Sequence, residues 1–376
     1  MAEKTCALLQ HLQTVPDPRR PGKNRKHRLD ELLLMGFCAV VAGANDCVEI
    51  ATWASRHLDF LRTFLDLPHG VPSHDTFSRV LALVPPATVQ GIVLPWLAKR
   101  RGLPGELLHI DGKTLRNTRQ RSAKLGALHV VSAWAGATGL TLGQVAVDAK
   151  SNEITAIPHL LDLLDLKDKV VTIDAMGCQK EIATAIVEQG GDYVLAVKGN
   201  QPTLRAEMQA AFATALEQED PACRSFATEA EEHGRQEERI VWVLPARRLA
   251  SQAAAWVGFL SLVMVVRLTT NVVTGVEMGE VRYFVSSLRP SARRLARAIR
   301  SHWSIENGLH WVLDVVFRED AQRLYDRRAA ENVAFLNRVA VSLLRGDPSP
   351  GSLKVKRKAA GWDVKYLAQL LGLSGK

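Results

Sequence analysis

Cysteine is scarce in this chain: Cys6, Cys38, Cys47, Cys178 and Cys223 are the only five in 376 residues, and none stands in CxxC spacing. An odd, scattered set argues against a disulfide framework or a cysteine-built zinc site and fits reduced thiols in the cytosol. Long apolar runs are missing too. The two most apolar stretches, Leu32 to Ala44 and Ala253 to Val266, fall short of the roughly 20 residues that a bilayer span needs. No charged-then-apolar leader opens the sequence, so the expectation is a cytoplasmic protein without a membrane segment. Internal repeats and low-complexity tracts are also absent.

What is present is a chain that is 47% hydrophobic and long enough for two or three cores. Its net charge of +9 and pI near 9.4 favour a polyanionic partner, with nucleic acid slightly ahead of an ordinary basic protein.

Residues 1–100 read as a small helical domain. Pro16, Pro18, Pro21 and the cluster KNRKHR, with Lys23, Arg25 and Lys26, suggest an extended basic arm. Helical spacing of apolar residues then runs from Leu29 to about Phe64. Ser73 caps a further helix, HDTFSRVLALV, that stops at Pro85 and Pro86. This helix is a weak candidate for a helix-turn-helix reader of DNA, with His74, Asp75, Ser78 and Arg79 near its start.

From Leu107 the period changes to short β runs, LLHI, LHVVSAWAG and LTLGQVAVD, joined by tight turns. A helix from Ile154 to Leu164, the strand VVTID, a second helix and the strand DYVLAVK follow. Over 101–222 that order predicts an α/β fold with a mixed sheet of the ribonuclease-H-like type. Residues 223–288 read as a β-rich insertion that opens with the hairpin FATEAEEHGRQEERIVWVL. The final core helices occupy 289–346, and 347–376 reads as a loose basic tail carrying KVKRK at Lys354 to Lys358.

Three carboxylates stand out within this frame. Asp111 ends LLHI and Asp174 ends VVTI, at the strand ends that face the functional crevice of an α/β sheet. Glu306 lies in a long helical pattern between Trp303 and Trp311, which suggests a buried helix and therefore a glutamate in need of a partner. Taken singly, each aspartate is more often a turn residue or helix cap, and the glutamate more often a solvated one. Together they suit two Mg²⁺ ions, with Mn²⁺ able to substitute, for phosphodiester chemistry.

His302, Glu306 and His310 are spaced four apart, which also permits a zinc site on one helix face. That reading ranks lower because it leaves Asp111 and Asp174 unexplained. His302 then suits contact with a phosphate or an active-site carboxylate. Further candidates for DNA contact are Lys113 beside Asp111, the loop residues Lys198, Asn200 and Gln201, and Arg235 on the hairpin with His233 and Arg239 nearby. For each, a plain polar loop or solvated charge is the competing explanation. The arm residues Lys23, Arg25 and Lys26 suit sequence-independent phosphate binding.

The ordered motifs PSHDTFSRV, IDGKTLR, KSNEITAIP, TIDAMGCQKEIA, VLAVKGNQPTL, HGRQEER, RYFVSSL and HWSIENGLHWVLDVVFRED extend over nearly the whole chain. Together they resemble the DDE transposases of bacterial insertion sequences, in the ISAs group that includes the H-repeat-associated proteins. The resemblance implies that Asp111, Asp174 and Glu306 are the DDE triad. It also implies DNA cleavage and strand transfer, with double-stranded transposon ends and target DNA as partners and at least a dimer on DNA. Related transposases carry a Tyr, Arg, Glu and Lys signature along the last helix. Here Ile299, His302 and Leu313 take the other three places, so roles borrowed from that signature do not transfer. A domesticated metal-dependent nuclease and a catalytically inactive DNA-binding remnant remain open alternatives.

Overall fold

The computed structural model describes residues 6–22, 25–102, 105–119, 126–147, 152–232 and 234–373. The chain divides into two compact units. Unit one comprises Met1–Pro104, Gly112–Ser151 and Glu306–Lys376, and unit two comprises Gly105–Asp111 and Asn152–Ile305.

Among the described residues, unit one begins with six helices: α1 (Ala7–Gln13), α2 (Leu29–Val41), α3 (Cys47–Arg56), α4 (Leu58–Leu61), α5 (His74–Leu83) and α6 (Pro86–Arg101). The expectation of a helical N-terminal region therefore holds. Helix α2 is apolar around most of its circumference and all of its residues are buried, which makes it the core of this region. Asp46 caps α3 by accepting the Glu49 amide at 2.8 Å, and Ser73 caps α5. Pro86 not only follows α5 but opens α6, at the first-turn position where a missing N–H costs nothing.

The strands β1 (Leu107–Leu115), β2 (Leu128–Ala135) and β3 (Leu140–Val147) come next. Only Gly112–Leu115 of β1 lies in unit one. Gly139 turns β2 into β3 with φ +65°, where a side chain is strained and a Cβ would collide with Arg345.

Toward its end the chain contributes α12 (Trp311–Val315), α13 (Arg327–Gly346), α14 (Leu353–Trp362) and α15 (Val364–Leu371) to the same unit. The expected loose tail is thus corrected: Lys354 to Lys358 lie in α14, with Lys356 and Arg357 buried. Arg357 donates to the carbonyls of Val40 and Ala44 around the end of α2 and to Val316, and its guanidinium lies 3.9 Å from the centre of the Phe317 ring. A run of cations read as solvated tail is in part an internal cap at the carbonyl end of a helix.

Unit two holds Leu107–Asp111 of β1 followed by α7 (Glu153–Leu161), β4 (Val170–Ile173), α8 (Lys180–Glu188), β5 (Asp192–Val197) and α9 (Pro202–Glu217). The strands β6 (Arg224–Glu232), β7 (Arg235–Pro245), β8 (Ser261–Asn271) and β9 (Glu277–Ser286) come after, with α10 (Ala250–Ala255) between β7 and β8 and α11 (Ala292–Ile305) last.

The nine strands among the described residues form one mixed sheet in the order β3-β2-β1-β4-β5-β9-β8-β7-β6. β1, β4 and β5 are parallel, with Ile110 opposite Ile173 and Ile173 opposite Leu195. β9 then pairs antiparallel with β5, so the segment read as an insertion extends the same sheet through β8, β7 and β6. Leu295, Ala298 and Ile299 of α11 pack on Val170, Val194, Val241, Val243, Val263 and Val265. The helix leaves its arginines on the opposite face.

Candidate active site

Asp111 and Asp174 are each the next residue after the paired Ile110 and Ile173. Neighbouring strands lie about 4.8 Å apart, so the register places the two residues on adjacent strands of unit two. Burial pushes the Asp174 carboxyl above its ordinary value, and the negative Glu153 pushes it further. The amides of Met176 and Gly177 and the charge of Lys198 pull the other way without cancelling the shift. Met176 donates its amide to Asp174 Oδ1 at 3.0 Å. The loop after Asp174 turns tightly because position 177 is glycine: a Cβ there would sit 2.4 Å from a methyl of Ile173.

Asn200 and Gln201 serve this loop. Asn200 Nδ2 donates to the Ala175 carbonyl at 2.5 Å, and Gln201 Nε2 donates to that of Cys178 at 2.9 Å. One N–H of each amide thus helps to hold the segment beside Asp174. Lys198, in the same loop, is exposed.

His302 is also corrected. Its Nδ1 lies 2.8 Å from the Thr172 hydroxyl, which lies 2.7 Å from His109 Nδ1. Which of these groups donates depends on the imidazole tautomers, and the same hydroxyl also lies 3.5 Å from the Leu108 carbonyl. Burial depresses His302 to about 4, while burial and then His302 depress His109 to about 3. Both rings are neutral at physiological pH, so His302 carries no charge toward a phosphate. It is a tie between α11 and the strand positions two residues before each aspartate. The sequence contains a signal for His109 and Thr172: each is a polar residue inside an apolar run, on the strand face shared with the aspartate that follows.

Glu306 begins a π-helical turn, Glu306–His310, that interrupts the helix, and it belongs to unit one. Such turns are uncommon and recur at functional sites. Glu306 is exposed and Trp311 is 57% exposed, so the expectation of a buried glutamate between two buried tryptophans does not hold. The proposed zinc face fails as well. A π turn takes His310 out of the regular four-residue stack, and among the described residues no three His, Cys, Asp or Glu side chains gather to hold a metal ion. Arg345 donates to the Gly308 carbonyl at 2.7 and 3.1 Å and so pins the π turn. No local pattern points to that residue, which lies 37 positions along the chain.

Lys113 is not available to DNA. Its side chain is 7% exposed, with Nζ 2.6 Å from Asp314 and 3.3 Å from Asp320. A lysine buried this deeply needs such partners. Arg235 and Lys26 are exposed, and Arg25 pairs with Asp17 at 3.5 Å. Lys23 and His233 lie outside the described residues.

The two aspartates supply hard oxygen donors of the kind that Mg²⁺ prefers, and the raised Asp174 favours a nearby cation. Among the described residues, no group of three His, Cys, Asp or Glu side chains is gathered so as to hold a metal ion. The fit therefore rests on the aspartate pair.

A family model of the transposase DDE domain matches residues 103–343, and one described as DDE_Tnp_1-associated matches residues 9–97. The chain belongs to the DDE transposase family. The H repeat-associated putative transposase YhhI of Escherichia coli (strain K12) is 39% identical over 374 residues, which is 98% of each chain. The putative transposase YncI of Escherichia coli O157:H7 is 38% identical over 369 residues, or 97% of this chain and 94% of its own. DDE transposases are metal-dependent enzymes that act on DNA. Among the described residues, no single helix is long and apolar enough to cross a membrane.

Proposed function

We propose that this DDE transposase cleaves DNA at the ends of an insertion sequence and joins the freed 3′-hydroxyls to target DNA, with Asp111, Asp174 and Glu306 as its carboxylate triad. One observation carries the reading: Asp111 and Asp174 follow paired residues on adjacent parallel strands. The strand order β3-β2-β1-β4-β5, with an antiparallel β2-β3 pair beside three parallel strands, supports a ribonuclease-H-like core. Glu306 follows His302 by four residues, and His302 is bonded to Thr172, two residues before Asp174.

Two Mg²⁺ ions, with Mn²⁺ able to substitute, would be held by Asp111 with Asp174 and by Asp111 with Glu306, and would supply Lewis acidity at the attacking and departing oxygens. Asp174 is kept in place by its own loop, which Asn200 and Gln201 clamp. The neutral His109–Thr172–His302 link holds α11 against the strands that carry or precede the aspartates. The helical region 1–100 and the basic arm would hold DNA away from the carboxylates, and two ends call for at least a dimer.

Labelled duplexes carrying the element's terminal sequence test this reading, with nicking and strand transfer measured in Mg²⁺. Asp174→Ala should fold and lose both activities by about a thousandfold, equivalent to ~4 kcal/mol. Wild-type rates in that variant would remove Asp174 from the triad.

A further inference from the structure

We propose that the arginine-lined groove between α11 and the β6–β7 hairpin binds the sugar-phosphate backbone of the DNA on which the enzyme acts. This inference rests on the DNA-cleaving reading above and adds a specific surface to it.

The groove encloses about 340 Å³, with Phe226 and Ala296 on its floor and Arg239, Arg293, Arg297 and Arg300 around it. Arg293, Arg297 and Arg300 recur at three- and four-residue spacing on the exposed face of α11, so they form one stripe. The Arg293 guanidinium lies 5.9 Å from the centre of the Phe226 ring.

Arg239 is built into the wall. It is 8% exposed, and its Nε has no hydrogen-bond partner among the described residues. A guanidinium N–H buried without an acceptor is costly, and a phosphate oxygen in the groove would satisfy it. The same guanidinium belongs to a second cluster, because Arg239, Arg267 and Arg282 lie 5.6, 5.4 and 5.3 Å from the Trp303 ring centre. Burial lowers the pKa of Arg239, and the charges of Arg300, Arg267 and Arg282 lower it further.

The acids that line the groove or bond to these arginines are fewer than the arginines. Glu237 accepts from Arg239, Arg267 and Arg300, Glu280 accepts from Arg282, and Glu229 lines the groove. Three glutamates thus face six arginines across the two clusters. Planar guanidinium forks match phosphate oxygens, and a floor of one aromatic ring and one methyl suits a sugar or base edge. Trp303, at the far end of the arginine stripe, is three residues before Glu306. A strand lying in the groove would therefore follow α11 toward the proposed triad.

The test is the salt dependence of binding between the full chain and a fluorescein-labelled duplex, read by anisotropy. Each phosphate contact adds about 0.9 to the slope of log affinity against log salt concentration. The double variant Arg293→Gln/Arg297→Gln changes exposed residues, so its thermal unfolding should match wild type while its slope falls by about 2. Arg293→Lys/Arg297→Lys should restore the slope, because a phosphate accepts either cation. A glutamine variant with wild-type slope and affinity, in a wild type that binds duplex, would overturn the groove and leave the transposase reading standing. If the wild type binds no duplex at any salt concentration, both readings fall.

Discussion

His302 Nδ1 lies 2.8 Å from the hydroxyl of Thr172, a residue 130 positions earlier in the chain. That oxygen also serves His109 Nδ1 at 2.7 Å, so one hydroxyl joins α11 to both strands that lead into the aspartate pair. Thr172→Val keeps the shape and removes the link, leaving two imidazole nitrogens short of a partner. Stability should fall by about 1–3 kcal/mol, and DNA cleavage should fall with it. Thr172→Ser should recover most of both. Urea unfolding beside a cleavage assay decides the matter, and a valine variant as stable as wild type would refute the link.

Acid should weaken the fold through the same histidines. An unfolded chain protonates them near pH 6.5, whereas the folded protein keeps His302 neutral to about 4 and His109 to about 3. Within that window the unfolded state binds more protons. Stability should therefore decline as pH drops from about 6.5 toward 4, by up to about 1.4 kcal/mol per pH unit for each histidine. The raised carboxyl of Asp174 acts in the opposite sense, since the folded state then binds the extra proton. Unfolding midpoints at neutral and mildly acidic pH should show the decline, and His302→Gln should flatten it.

Arg338 and Glu319 form an ion pair at 3.0 Å with no exposure on either side chain. Arg338 also donates to Ser132 at 2.9 Å, and Asn337 donates to Glu319 at 3.3 Å. Removing the anion alone strands a buried guanidinium, so Glu319→Ala should cost about 3–5 kcal/mol. The double variant Glu319→Leu/Arg338→Met should regain much of that loss. Thermal melts of the three proteins measure the difference, and equal melting of Glu319→Ala and wild type would contradict the pairing.

Lys113 separates internal from DNA-facing charge. With Nζ between Asp314 and Asp320, Lys113→Met should lower stability by about 1–3 kcal/mol while leaving the salt slope of DNA binding unchanged. A slope reduced by about one unit in a normally stable variant would return Lys113 to the DNA surface.

Much of the local structure was legible in the residues. The short β runs LLHI and VVTI became the start of β1 and the whole of β4, and Ser73 capped the helix it precedes. The 223–288 segment read as β-rich and holds β6 to β9, with α10 between β7 and β8, but its hydrogen-bonding partner was not legible. Alternation reports which face a residue occupies, whereas β9 finds β5 through edge amides that no side-chain pattern encodes. Trp311 misled for a related reason. A large apolar ring suggests burial, and here the π turn leaves it outside.

By itself the sequence determined most element types, the order of the motifs that mark a DDE transposase, and the place of Asp174 just after a strand, because these depend on neighbours a few residues apart; β1 runs on to Leu115, so Asp111 lies within its strand rather than at its end. Only the tertiary structure decided that the two strands are adjacent and in register, that His302 is neutral, that Lys113 is enclosed between aspartates, and that Arg357 closes the end of α2. Those outcomes depend on burial and on partners far away in the chain, and both arise only when distant segments pack.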